Sequence, residues 1–273
     1  MHCRSGSSYN AARPYPFSDA TFLLGAPFLS AMLRPANDLD HSLAERFRRF
    51  VGDAGFPCVG AKAALNRDGM RFVVARDFRS AWDDLRILPS LLALAKSYRA
   101  EPALFQSLVV LFEGGTPDDE SGFEAQLWKR LQSLTDKDQW LGQPADPRVS
   151  HDPGDPHFAM SFGGEAFFVV GLHPHASRLA RRFDVPAMVF NLHDQFEQLR
   201  AVGQYDKLRE TIIDRDVALS GSPNPMLAQH GSVSSARQYS GRAVGIEWRC
   251  PFSGRSATPE PSTFDYDRAS NDG

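Results

Sequence analysis

Two apolar runs that each stop on a histidine constrain this chain more than any other feature. Ala166-Phe-Phe-Val-Val-Gly171 runs into Leu172, His173 and Pro174, and Ala187-Met-Val-Phe190 runs into Asn191, Leu192 and His193. Short runs rich in β-branched and aromatic residues, bounded by turn residues, read as buried strands. Pro174 takes the backbone out of any sheet directly after His173. Both histidines are therefore expected at rigid strand ends, a good place for a ring that binds a metal or moves a proton. Further strands are expected at Met70–Ala75, Ser107–Phe112, Phe158–Phe162 and Gly241–Trp248.

Helical spacing appears between these runs. Leu43–Val51 is expected to be helical, capped by Asp40 or Ser42, and Ser80–Leu94 to be helical but interrupted by Pro89. Ser121–Leu134 carries Phe123, Leu127, Leu131 and Leu134 along one side, and Asp206–Val217 carries Leu208, Ile212 and Ile213. Asp194–Val202 continues as a helix from the second histidine, and Gly60–Leu65 is helical after Cys58. The strands are grouped rather than alternating strictly with helices. That favours an α+β fold, a single layered domain with a mixed or antiparallel sheet and flanking helices, over a doubly wound parallel sheet.

Residues 1–17 read as a flexible arm, 18–252 as the catalytic domain and 253–273 as a flexible tail. Residues 118–157 form the least apolar interior stretch, a loop over a pocket or a surface excursion. A net charge of −3 gives no reason to expect nucleic acid or an anionic membrane as partner. No apolar run approaches the roughly 20 residues a membrane helix needs. Three widely spaced cysteines, Cys3, Cys58 and Cys250, do not form a disulfide framework, and a reducing, cytoplasmic setting is expected. There is no Gly-x-Gly-x-x-Gly, P-loop or Gly-x-Ser-x-Gly pattern, so dinucleotide, nucleotide and serine-hydrolase chemistry find no support.

Several residues are candidates for chemistry. His173 reads as an axial ligand of haem iron or as a hydrogen-bonded histidine anchoring a turn. Arg178, Arg181 and Arg182 follow it, with Arg178 expected to share a helical face with Arg181 or Arg182, and such cations suit haem propionates. His193 is an alternative ligand, a distal proton donor or a partner for a carboxylate. Asn191 beside it could donate to bound oxygen or substrate, or belong to a buried polar cluster. Cys58, just before a helix N-terminus, is the rival iron ligand, since a thiolate suits oxygen activation. Cys250 invites the same reading less strongly, and zinc held by Cys58, Cys250 and histidines lacks ligand spacing. Arg237, Tyr239 and Arg242 could contact a propionate or a substrate carboxylate.

The blocks Phe56-Pro-Cys-Val-Gly-Ala-Lys-Ala-Ala-Leu65, Gly-Leu-His173-Pro with its Ser-Arg continuation, and Val189-Phe-Asn-Leu-His-Asp-Gln-Phe-Glu197 resemble the YqcI/YcgG family. So do Gly221-Ser-Pro-Asn-Pro-Met-Leu227, Arg237-Gln-Tyr-Ser-Gly241 and Trp248-Arg-Cys-Pro-Phe252, in the same order. Characterised members of that family are haem-dependent enzymes that oxidise nitrogen in amino acids. The resemblance implies a haem b monooxygenase that converts free L-arginine to Nω-hydroxy-L-arginine, in D-cycloserine-type antibiotic biosynthesis. It implies dioxygen as co-substrate and, as no reductase domain is visible, electrons from a separate reductase or small reductant. It favours His173 as the iron ligand, with Cys58 the alternative. Without a Cys-x-x-Cys-His motif the haem would be non-covalent. A guanidinium is best held by a carboxylate, and Glu113 and Glu165, each beside a glycine pair at a strand end, are the candidates. A homodimer is left open. Other classes that remain are a haem-binding or gas-sensing module without turnover and a haem-free Cys/His metal-dependent hydrolase.

Overall fold

The computed structural model describes residues 34–226 and 232–255. The expected arm, Cys3, Leu227 and the tail beyond residue 255 lie outside the described residues. Five strands, β1 (Met70–Asp77), β2 (Ser107–Gly114), β3 (Met160–Phe162), β4 (Glu165–Leu172) and β5 (Ala187–Leu192), form one sheet in the order β1-β2-β5-β4-β3. β1 and β2 are parallel, and every other pairing is antiparallel. The sheet is therefore mixed, and the fold is the expected α+β arrangement with flanking helices.

Strand alternation sorts the residues onto two faces. Val73, Leu108, Val110, Phe112, Phe167, Val169, Met188 and Phe190 pack against α3 (Asp84–Ala100) and α4 (Glu120–Trp140), joined by Leu91, Leu94, Leu127, Trp128 and Leu131. Met70, Phe72, Val109, Leu111, Leu172, Ala187 and Val189 point the other way, towards Phe47 and Val51 of α1 (Ser42–Gly52) and Ala64 of α2 (Val59–Asn66). Each fully buried leucine or phenylalanine contributes roughly 1.5–3 kcal/mol. Three further helices follow β5: α5 (Asp194–Ala201), α6 (Tyr205–Ser220) and α7 (Ala236–Tyr239).

Several expectations are corrected. The cap of α1 is His41, whose Nδ1 accepts from Leu43 N at 3.2 Å, rather than Asp40 or Ser42. Pro89 does not interrupt its helix, which runs through to Ala100. Burial of Leu88, Leu91, Leu94 and Ala95 outweighs the roughly 3 kcal/mol cost of an interior proline. Arg178–Arg182 makes only a 3₁₀ turn at Leu179–Arg181, so the three guanidiniums diverge instead of sharing a helical face. Gly241–Trp248 is not a strand. Gly241 is left-handed at φ 84°, and Arg242 is drawn to the buried Glu124 of α4, which holds this segment against a helix rather than a sheet edge. The chain is also still fastened at Arg255, beyond the expected start of the tail. Its guanidinium donates to Asp138 Oδ2, Ser161 O and Gln143 O, each at 2.9 Å. Among the described residues, no helix is long and apolar enough to cross a membrane.

Candidate functional site

On the α1/α2 face the sheet is not fully covered by side chains. Phe168, Val170 and Leu172 of β4 and Val189 and Asn191 of β5 form the floor of a cavity of about 310 Å³. Its walls come from Phe47, Phe56, Met70 and Phe105, and from Phe196, Leu199, Leu208 and Ile212 of the last helices. That size lies at the lower end of ordinary ligand and cofactor pockets. Polar groups interrupt the apolar wall in two places.

Cys58 and Arg181 mark one end. Cys58 is the N-cap of α2, with Sγ accepting from Ala61 N at 3.4 Å. Burial pushes its thiol pKa up, while the amides of Ala61 and Gly60 and the charge of Arg181 pull it back. Arg181 donates to Gly171 O at 3.0 Å, Tyr239 O at 3.3 Å and Gln238 O at 3.1 Å. Burial lowers its pKa to about 10, opposed by Cys58 and Asp216. Among the described residues no carboxylate forms an ion pair with it.

The other end lies three residues along the strands, about 10 Å away, where Phe168 faces Asn191 rather than Gly171 facing Met188. Ser107 Oγ donates to Asn191 Oδ1 at 2.9 Å, and Asn191 Nδ2 donates to Phe168 O at 3.4 Å. Gln195 is buried beside them and accepts from Gln106 N at 3.1 Å. His193 follows β5 directly, its backbone held by a 2.8 Å bond to Ala166 O.

His193 also lines a second cavity of about 330 Å³, with Asp146, Arg148, Val149, His157, Asp194 and Glu197. This compartment is polar. Arg148 holds Asp146 with two bonds, Nε to Oδ1 at 2.9 Å and Nη2 to Oδ2 at 2.6 Å, and reaches Glu165 at 2.7 Å and Asp194 at 3.3 Å. Burial alone would raise the Asp146 pKa, but hydrogen bonds and charge from Arg148 hold it below the usual range. Asp194 is likewise lowered against its burial by Tyr98, Gln198 and Arg148. Tyr98 donates to Asp194 Oδ2 at 2.7 Å, and burial with this partner raises its pKa.

The structure thus brings Cys58, Arg181, Asn191 and His193 to one cavity. The other candidates lie elsewhere. His173 is 1% exposed on the opposite face of the sheet, stacked on Phe123 at 4.1 Å between ring centroids. Arg178 is paired with Asp216 and donates to Ser222 O at 2.9 Å. Arg182 donates to Ala176 O at 2.9 Å. Arg237 donates to Gly245 O at 2.6 Å and lies over Trp248. Glu113 is half-exposed, 3.6 Å from His41. Glu165 is buried and already committed to Arg148 and Arg99. Cys250 packs against the α3/α4 core, and burial pushes its pKa up to about 12. No group of three or more His, Cys, Asp or Glu that could hold a metal ion forms among the described residues.

Sequence reasoning missed Ser107, Gln195, Asp146, Arg148, Asp194 and Glu197. A signal existed for Glu197, which follows His193 at the i+4 spacing of a helix, and none for Asp194, its immediate neighbour. None existed for Arg148, which reaches the site from a loop.

A mixed-sheet domain with a largely apolar cavity, lined at one end by a thiol and a guanidinium and at the other by an imidazole and an amide, is a cofactor- or small-molecule-binding domain. The chain belongs to the YqcI/YcgG family, whose model matches residues 47–253 and so spans the sheet, both compartments and α7. No curated protein and no solved structure matches it.

Proposed function

We propose that this protein is a haem-dependent N-hydroxylase that converts free L-arginine to Nω-hydroxy-L-arginine. The observation that carries the reading is the apolar cavity joining Cys58, Arg181, Asn191 and His193. The donor set fits a haem: apolar walls for the ring, two ligand-capable side chains in Cys58 and His193, and in Arg181 a cation without a carboxylate partner for a propionate. Within this geometry Cys58 and His193 are better placed than His173 to reach the iron, because His173 packs behind the sheet on Phe123. When bound, the haem supplies activation of dioxygen, with electrons from a separate reductase or small reductant.

The chain's own residues supply the rest. Phe47, Phe105, Phe168 and Leu208 give the cavity its apolar lining. Ser107 and Asn191 present fixed polar groups on its floor. A guanidinium nitrogen has a poorly available lone pair, so a proton must leave as the nitrogen is oxidised. Where the iron takes the Cys58 thiolate, His193 is the ring placed to accept that proton. The choice of arginine rests on the resemblance to DcsA, the arginine N-hydroxylase of D-cycloserine biosynthesis. Glu165, already holding Arg148, is a poor holder of the substrate guanidinium.

The test is purification from haem-supplemented cells, absorption spectra with and without carbon monoxide, and mass spectrometry after incubation with arginine, labelled dioxygen and a reductant. One oxygen from dioxygen should appear in the product. Cys58→Ser and His193→Gln should identify the iron ligand by which of them alters the carbon monoxide spectrum. A haem protein that yields no arginine product would instead be a binding or sensing module. A colourless protein that is fully active would overturn the reading.

A further inference from the structure

We propose that Gln195 is a carboxylate-binding residue, whose Nε2 donates to the α-carboxylate of the amino-acid substrate at the Asn191 end of the apolar cavity. The identity of the substrate rests on the N-hydroxylase reading. Gln195 lies in the first turn of α5, is 4% exposed and lines the cavity. Its Oε1 accepts from Gln106 N at 3.1 Å. A backbone N–H only donates, so this bond fixes which end of the amide is oxygen. Nε2 is left with two N–H groups and no hydrogen bond among the described residues. A buried donor without a partner is costly, so one that borders a cavity marks where a ligand's acceptor belongs.

Asn191 adds a second donor. Ser107 Oγ donates to its Oδ1, and its Nδ2 makes one long bond to Phe168 O at 3.4 Å, which leaves the other N–H of that nitrogen over. Gln106 and Ser107 are consecutive, so their bonds bring the two carboxamides to neighbouring points at the start of β2. Three arginines line the cavity, Arg181, Arg200 and Arg209, against one carboxylate, Asp216, which is paired with Arg178. Arg200 also pairs with Glu197, outside that lining. Fixed N–H donors in a field of positive sign select an oxygen anion. The guanidinium and ammonium of free arginine only donate, and its α-carboxylate is the molecule's sole acceptor. A haem propionate has the same chemistry, but Arg181 holds the propionate end, about 10 Å away along the strands.

The experiment measures binding of L-arginine and of agmatine, which is arginine without its carboxylate, by equilibrium dialysis. It uses the haem-loaded wild type, Gln195→Glu and Gln195→Met, with thermal melting as the folding control. Gln195→Glu keeps the acceptor for Gln106 N and exchanges the donor for an oxygen of like charge to the ligand. Gln195→Met keeps the length and removes both groups. Wild type should prefer arginine over agmatine by about tenfold or more, the worth of one hydrogen bond to a charged group. Both variants should lose that preference through weaker binding of arginine, with agmatine bound no more weakly than before. A folded Gln195→Glu that keeps the preference would overturn the subsite, as would equal wild-type affinities for the two ligands. Soret titration separates the two sources of carboxylate. Weaker haem binding in both variants, with the arginine preference intact, would give the donor to a propionate and overturn the assignment. Hydroxyarginine formation judges the function separately. If wild type makes none, yet its preference for arginine disappears in the variants, the hydroxylase function fails and the subsite stands. If wild type makes the product and the preference survives in the variants, the subsite fails and the function stands.

Discussion

Lowering the pH from 7.5 to 5 should destabilise this protein, with His173 a principal contributor. The ring is 1% exposed, stacked on Phe123, and its Nδ1 is buried without a hydrogen-bond partner. Burial lowers its pKa from 6.5 to about 4, with Glu120 opposing and His175 and Arg181 adding to the shift. The unfolded chain therefore binds a proton that the folded chain refuses. The contribution to stability is complete above pH 6.5 and is lost as the pH falls from there towards 4. Linkage between the two values gives a loss of roughly 2 kcal/mol between pH 7.5 and pH 5. His173→Phe removes the titrating group, keeps a flat ring against Phe123 and breaks no side-chain hydrogen bond of the described structure. Urea unfolding of both proteins at the two pH values isolates the effect, because the remaining groups titrate alike in each. The wild type should lose about 2 kcal/mol more than the variant over this interval. Equal losses would show that the imidazole is not held neutral by burial, and the packing argument for His173 would fall with it.

Three further outcomes are expected. Asp84 is fully buried, pairs with Arg130 and accepts from Ser133 Oγ at 2.6 Å and Lys137 Nζ at 2.9 Å, so Asp84→Asn should cost about 3–5 kcal/mol in denaturant unfolding by stranding the guanidinium; a loss under 1 kcal/mol would contradict this. A Cβ on Gly171 would lie 2.7 Å from Phe123 Cε1 and 3.0 Å from Tyr239 O, so Gly171→Ala should lose about 1–3 kcal/mol, and an unchanged melting curve would refute the close packing of β4 on α4. Arg181→Met should weaken haem retention by about tenfold or more in a Soret titration, by removing the cation from the cavity; undiminished affinity would exclude Arg181 from the cofactor site.

Much of the fold was legible because local signals agreed with tertiary packing. β2 and β5 are continuous apolar runs and lie at the centre of the sheet, buried on both faces. α4 begins within a residue of its expected start because Asp119 caps it and Phe123, Leu127 and Leu131 repeat at helical spacing. The failures arose where long-range contacts decided. Gly241–Trp248 has a strand-like composition, yet the Arg242–Glu124 pair holds it against a helix. Pro89 is a strong local breaker, yet the helix around it is secured by the core. The tail reads as polar, yet Arg255 meets the fully buried Asp138.

The site was half legible for a more specific reason. His173 and His193 look alike in the sequence, each following an apolar strand, and alternation sends them to opposite faces. Counting by twos from Val169 passes through Gly171 to His173, on the face covered by α4. Counting by twos from Val189 passes through Asn191 to His193, on the face that holds the cavity. Parity separates the two faces but does not say which one a helix fills. Gly171 supplied that missing information. A glycine inside a strand often marks the close approach of another element, and here its missing side chain makes room for Phe123, the ring that then stacks on His173. The residue two before His173 was thus the local sign that this histidine belongs to packing, while Asn191, the residue two before His193, is a polar side chain on the floor of the cavity.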